Sequence, residues 1–186
     1  AKGLFYSNEQ AIEIYFSEDL KDKKIAIQGA GSVGKRLAEY LASSGAQVFI
    51  SDIDHSKLDE FNNKNIICVD DAFSMECDLF SPCAVGAIFT KESIYNLNCK
   101  ILISCTPEEF GDVKKKDLPI NEETLVSPVN HYAASKVAQD AICQSYFASY
   151  KMKIVRCRAF NHEGPRRDIN GAIASFANQI AKIESN

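Results

Sequence analysis

The chain has 186 residues, 46% of them hydrophobic and 25% charged, with a formal net charge of -4 at pH 7. That length suits one well-cored domain over 1–186 and is short for an enzyme with separate cofactor and substrate domains. The charge balance gives no basic excess for nucleic acid and no basic amphipathic segment for a membrane surface, and no apolar run approaches the roughly 18 residues of a spanning helix. A cytoplasmic protein with neither a nucleic-acid nor a membrane partner is expected, because the opening Ala1-Lys2-Gly3-Leu4-Phe5-Tyr6 has no signal-peptide core. Cys68, Cys77, Cys83, Cys99, Cys105, Cys143 and Cys157 are scattered without a CxxC pair, which reads as reduced structural thiols that behave as small hydrophobes. The three histidines lie far apart, so no metal site is expected.

In chain order, Ser7 and Gln10 stand at capping-box spacing ahead of Ala11, Ile12, Tyr15 and Phe16, which predicts a lead-in helix over 7–18. Short β-rich runs follow at 24–28, 47–51, 66–69, 79–83, 100–104 and 153–160. Helical periodicity is clearest at 32–43, 132–150 and 171–184, where apolar residues return every three or four positions. Strands that read as continuous apolar runs and alternate with helices imply an α/β fold, a doubly wound parallel sheet covered on both faces in three layers. The one long loop candidate spans 111–129 and contains Lys114, Lys115, Lys116 and two prolines; loops of that length are usually functional or mobile.

The segment Ile25-Ala26-Ile27-Gln28-Gly29-Ala30-Gly31-Ser32-Val33-Gly34 runs from a strand into G-x-G-x-x-G and then opens a helix. This context makes the fingerprint informative. Gly29 permits a tight turn, Gly31 lets backbone approach a pyrophosphate, and Gly34 allows close helix–strand packing, with the helix N-terminus at Ser32 and Val33 offering amides to the anion. Asp52, at the end of the second strand, can accept from the adenosine ribose and would repel a 2′-phosphate, which favours NAD over NADP. A Gly-rich turn that only packs is the competing reading. His55 and Lys57 could reward a 2′-phosphate or be solvated loop residues.

Residues 1 to about 103 resemble the cofactor domain of amino-acid dehydrogenases, the leucine and phenylalanine enzymes in particular. The resemblance is carried by Gly29–Gly34, by Ser51-Asp52-Ile53, and by Glu76-Cys77-Asp78-Leu79-Phe80-Ser81-Pro82-Cys83-Ala84-Val85-Gly86-Ala87. It implies that Asp52 and Ile53 meet the adenosine and that Pro82, Cys83 and Ala84 line the nicotinamide side of the cleft. The family's substrate domain, with its catalytic Lys and Asp, has no counterpart here, so amino-acid deamination is not expected.

Residues from about 104 to 186 resemble extended short-chain dehydrogenases of the GDP-mannose 4,6-dehydratase type. The matching stretches are Ser104-Cys105-Thr106-Pro107-Glu108-Glu109-Phe110-Gly111, Tyr132-Ala133-Ala134-Ser135-Lys136, and Arg158-Ala159-Phe160-Asn161-His162-Glu163-Gly164-Pro165-Arg166-Arg167. Tyr132 and Lys136 at i, i+4 share a helix face, so the ammonium could lower the phenol pKa and suit Tyr132 as a general base. The resemblance implies that Thr106 hydrogen-bonds the reacting sugar oxygen and that Glu108 removes a proton during dehydration. It also implies that Asn161, His162, Arg166 and Arg167 contact the nicotinamide side and the phosphates of a nucleotide-sugar substrate, the arginines through bidentate bonds. A partly exposed helix pair and a surface arginine pair are the alternatives; His131 reads as a helix-start residue.

The two resemblances are complementary, which is the pattern of a chimera: a recombined Rossmann domain, natural or engineered, joined near 101–105 inside the fifth strand. Three readings stay open. The first is an NAD(H)-binding domain without turnover, since no substrate domain is present and a crossover leaves the second shell of a catalytic site untuned. The second is an oxidoreductase or dehydratase acting on a nucleotide sugar through Thr106, Tyr132 and Lys136. The third is a folded scaffold that binds nothing. Val137, Ala141, Ile142, Tyr146 and Phe147 give the Tyr/Lys helix more apolar surface than one buried stripe needs, which makes a homodimer an expectation.

Overall fold

A computed structural model describes residues 1–61, 64–84, 89–107, 110–160 and 172–185. Helix α1 (Lys2–Phe16) leads into β1 (Lys24–Gln28), α2 (Ser32–Ser43), β2 (Gln47–Ser51), β3 (Ile66–Cys68), β4 (Cys77–Pro82), α3 (Lys91–Asn96), β5 (Cys99–Pro107), α4 (His131–Tyr150), β6 (Ile154–Ala159) and α5 (Ala172–Glu184). The strands form one parallel sheet in the order β3-β2-β1-β4-β5-β6. This is the doubly wound Rossmann arrangement, and the fifth strand pairs with the fourth through Cys77–Cys99, Leu79–Ile101 and Phe80–Leu102.

Each central strand is buried on both faces, so its side chains alternate between two cores. Ile25, Ile27, Val48, Ile50, Leu79, Ile101 and Ile103 meet Ala11 and Ile12 of α1 and Leu37, Ala38 and Leu41 of α2 on one face. Ala26, Phe49, Phe80 and Leu102 meet Ala72, Phe73 and Cys77 on the other. On β6, Val155 and Cys157 join the first face and Ile154 the second. The strand's alternation therefore turns Arg156 and Arg158 to the second face, where Asp140 of α4 receives them. Of the twenty residues of α4, only Ala133 and Asp140 are buried.

One expectation needs correction, and one helix carries no sequence signal by periodicity. The lead-in helix begins at Lys2 rather than Ser7. Ser7 is no cap: its hydroxyl donates back to the Gly3 carbonyl at 3.1 Å, and Gln10 donates to Glu13. Leu4 and Phe5 pack on the core, so burial carries the helix upstream of the polar signal. The short helix α3 was not anticipated. Six residues are too few for periodicity, and its mark is a capping box between Thr90 and Ser93. The described cysteines are in no disulfide; Cys77 is buried and Cys83, Cys99 and Cys157 pack partly buried against the core as small hydrophobes, while Cys68 at the sheet edge is exposed. Burial pushes the Cys77 thiol up to about 12 and the Cys99 thiol up to about 11, which leaves both protonated and poorly nucleophilic.

Helix α1 is pinned by a buried polar contact. Asn8 and Ser81 are both fully buried; the Ser81 hydroxyl donates to Asn8 Oδ1 at 2.8 Å, and Asn8 Nδ2 donates to the Leu4 carbonyl at 2.6 Å. Removing one partner strands the other away from water, at a cost of about 1–3 kcal/mol. Asn8→Ala is therefore expected to lower stability by that amount in urea unfolding, and adding Ser81→Ala should restore part of it. Strict additivity of the two losses would refute the coupling.

Candidate functional site

The order of the sheet reverses between β1 and β4, and open α/β sheets bind ligands beyond the carboxyl ends of the strands at such a point. The Gly-rich turn lies there. Gly29 has φ +106° and donates its amide to the Ser51 carbonyl at 2.7 Å; a Cβ on it would sit 2.5 Å from the Ala84 nitrogen. A Cβ at Gly34 would sit 1.8 Å from the Gly29 carbonyl oxygen and 3.2 Å from Cys83 Cβ. Both glycines are demanded by packing. Gly31 differs: it caps α2 with φ -71°, and a Cβ there would meet nothing within 4 Å. The space in front of Gly31 is open, and the first intrahelical bond from this end runs from the Lys35 amide to the Gly31 carbonyl. The amides of Ser32, Val33 and Gly34 are thus the helix's unsatisfied N-terminal donors, facing the switch point.

Asp52 leaves the end of β2 and reaches back to this turn. Its Oδ2 accepts the Ala30 amide at 2.7 Å, and its Oδ1 accepts the Asp54 amide at 2.9 Å and Lys57 Nζ at 3.2 Å. Its side chain is only 8% exposed. Burial pushes the carboxyl up, but the Asp54 and Ala30 amides and the Lys57 ammonium outweigh it and hold Asp52 below its ordinary range. Of the roughly four lone-pair directions of a carboxylate, three are engaged, so Asp52 both shapes the glycine turn and retains acceptor capacity. Ile53 beside it is 95% exposed.

A cavity of about 1130 Å³ opens on the other side of the turn, lined by Val33, Pro82, Cys83, Ala84, Tyr132 and Lys136. It brings together residues that the two resemblances supplied separately. Asn130 caps α4 by accepting the Ala133 amide at 2.7 Å, which sets the helix start, and with it Tyr132, at the cavity. The Lys136 ammonium lies 5.5 Å from the centre of the Tyr132 ring and donates to Gln139 Oε1 at 3.3 Å. It therefore covers the ring face, and no bond from it to the phenol oxygen is seen. Thr106 is placed by its backbone on β5, opposite Arg158. Glu108, Asn161, His162, Arg166 and Arg167 lie outside the described residues.

The sequence reading missed the cavity's floor. Arg156 and Arg158 line it with Phe110, Phe160 and Glu122. Asp140, 6% exposed, accepts Arg156 Nη1 at 3.0 Å and Arg158 Nη2 at 2.7 Å through one oxygen. Arg158 also donates to the Glu122 carbonyl at 2.9 Å, tying the 111–129 loop to the wall, and Phe110 stacks on Phe160 with centroids 5.8 Å apart. The available signal was two arginines alternating in an otherwise apolar strand, with an acid one turn beyond Lys136.

Because the folded pKa of Asp52 lies below its unfolded value, the stabilisation it provides is complete above the ordinary carboxylate range and is lost as pH falls through the lowered value. Asp52→Ala is expected to cost about 1–3 kcal/mol at neutral pH by stranding the amide of the buried Ala30. It should also flatten the fall of stability between about pH 5 and pH 3. Thermal unfolding of both proteins across that range checks this, and parallel acid limbs would refute it.

Comparison with known proteins finds similarity to two kinds of enzyme. Phenylalanine dehydrogenase from Lysinibacillus sphaericus is 30% identical over 135 residues, covering 68% of this chain and 35% of that protein. Leucine dehydrogenase from Thermoactinomyces intermedius is 35% identical over 107 residues, covering 55% of this chain and 29% of that protein. The chain thus spans about a third of the length of these curated relatives. Among solved structures, dTDP-glucose 4,6-dehydratase from Bacillus anthracis in complex with NAD shares the fold, with a TM-score of 0.65 at 17% identity over 86% of this chain and 61% of that chain. The GDP-mannose 4,6 dehydratase family matches residues 84–186. That match begins at Ala84, inside the stretch that carries the amino-acid dehydrogenase resemblance, so the two overlap instead of meeting at residue 103. With more than half of its length so matched, the chain belongs to the GDP-mannose 4,6 dehydratase family.

Proposed function

We propose that this chain is an NAD(H)-binding Rossmann domain in which residues from both resemblances grip one cofactor. The observation that carries the reading is Gly31: the fold needs no glycine there, yet its surroundings are open and lie at the amides of α2, as a backbone that must approach a pyrophosphate requires. Gly29, Gly31, Ser32, Val33 and Gly34 hold the pyrophosphate, and Asp52 and Ile53 meet the adenosine. Pro82, Cys83 and Ala84 border the nicotinamide, and Lys136 stands within reach of its ribose. The cavity shared by Val33, Ala84, Tyr132 and Lys136 supports one continuous site. The mixed ancestry fits recombination of two Rossmann halves within a single domain.

A second reading is favoured by the basic cavity floor: oxidoreduction or dehydration of a nucleotide sugar. Bound NAD would supply a hydride acceptor. Tyr132 would take the proton of a sugar hydroxyl, Thr106 would hydrogen-bond the same oxygen, and Glu108 would remove a proton during loss of water. Arg156, Arg158, Arg166 and Arg167 would supply cations for the diphosphate, alongside Asn161 and His162. Exposed Ile142, Phe147 and Tyr150 on α4 are consistent with pairing of two copies through that helix.

Calorimetric titration with NAD tests the first reading. Saturable binding is expected, weakened at least about tenfold (about 1.4 kcal/mol) by Gly29→Ala, which would force a side chain onto the Ala84 backbone. Absence of NAD binding by the folded chain would overturn it. Incubation with a GDP-hexose and NAD tests the second, with net oxidation read from the absorbance of the reduced cofactor and dehydration, in which the hydride returns to the sugar, read from loss of one water in the product mass. Tyr132→Phe should remove any turnover and leave NAD binding intact.

A further inference from the structure

We propose that Arg156 alone of the cavity floor meets a phosphate-type oxyanion, leaving Asp140 to do so, while Arg158 stays behind as the fixed half of the ion cluster. The inference deepens the second reading above, on which it rests for the source of the oxyanion, the diphosphate of a nucleotide sugar. Asp140 is 6% exposed and receives two guanidinium groups through a single oxygen, Arg156 Nη1 at 3.0 Å and Arg158 Nη2 at 2.7 Å. Its other oxygen, Oδ1, is buried without a partner. Two cations against one carboxylate leave one positive charge to spare at the cavity wall, and the orphaned acceptor marks an arrangement that does not fully satisfy the acid.

The two arginines are held unequally. Arg158 also donates Nη1 to the Glu122 carbonyl at 2.9 Å and lies 6.0 Å from the centre of the Phe110 ring, so moving it would release the 111–129 loop. Arg156 is bonded to Asp140 through Nη1, is more exposed, at 34% against 22%, and borders the cavity with Tyr132 and Lys136. Its planar fork matches two oxygens of a phosphate. When Arg156 turns to such a group, Asp140 keeps Arg158, a pair of one charge each, and the carboxylate can rotate so that both oxygens face that guanidinium. The acid is never left uncompensated, and the surplus charge goes to the ligand.

The test is calorimetric titration of the full chain with inorganic pyrophosphate and with a GDP-hexose, in the wild type, Arg156→Met, Arg156→Lys and Arg158→Met, each with its urea unfolding curve. Both ligands should bind the wild type, less tightly as salt is added. Arg156→Met should raise both Kd values about tenfold or more, and Arg156→Lys, which keeps the charge and loses the fork, should raise them less. Arg158→Met should lower the urea midpoint further than Arg156→Met does. Pyrophosphate binding that is unchanged in Arg156→Met, as it would be at the amides of α2, or equal midpoint losses in the two Met variants, would overturn the role of Arg156. So would GDP-hexose turnover with an unchanged KM in Arg156→Met, which would leave the second reading standing. Arg156-dependent binding of pyrophosphate with no binding of the GDP-hexose would uphold the oxyanion site, assign it to free phosphate and sink the second reading. Failure of the folded wild type to bind either ligand would overturn both.

Discussion

The site depends on one close approach: the start of α2 lies against the turn that ends β1, so near that a single methyl group at residue 34 would sit 1.8 Å from the Gly29 carbonyl oxygen. Only two glycines allow it, one for the contact and one for its φ of +106°. The approach brings the free amides of α2 over the switch point between β1 and β4. It also brings Ala30 within 2.7 Å of Asp52, so the end of β2 is bonded to the same turn. The glycine turn, the start of α2 and the end of β2 are therefore tied into one unit by backbone contacts.

The other half of the cleft is built on different physics. Helix α4 buries little apolar surface and is joined to β6 through ions: Asp140 holds Arg156 and Arg158, and Arg158 holds the 111–129 loop. Such a partly buried cluster positions groups more than it stabilises them, since desolvating the charges offsets most of their attraction. It turns two guanidinium groups toward the cavity that Tyr132 and Lys136 border. A well-packed apolar half thus presents free amides to the cleft, and a polar half presents cations to it.

The sheet itself is tolerant of sequence change where β4, β5 and β6 pair. The β4–β5 and β5–β6 ladders are backbone hydrogen bonds between parallel strands, indifferent to the side chains those strands carry. The neighbours paired between β4 and β5 are Cys77 with Cys99, Leu79 with Ile101 and Phe80 with Leu102, all apolar and interchangeable within limits of volume. A parallel sheet can therefore unite sequences similar to two enzyme families, while a cleft that must align atoms is far less forgiving.

The sequence by itself determined the sheet, because strands buried on both faces leave apolar runs such as Ile25-Ala26-Ile27 and Val48-Phe49-Ile50 that no other fold element explains. It determined the glycine turn and Asp52 for the same local reason: a residue without a side chain, at fixed spacing between a strand and a helix, records its own backbone constraint. It also placed Tyr132 and Lys136 on one helix face. Only the tertiary structure decided that α1 starts at Lys2, since the reward for that turn is burial of Leu4 and Phe5 against a sheet formed later in the chain. Only it decided the Asp140–Arg156–Arg158 cluster, the Asn8–Ser81 contact and the Lys57–Asp52 pair. These are polar contacts whose partners are set by packing geometry, and a charged or amide side chain read alone carries no mark of what it will face.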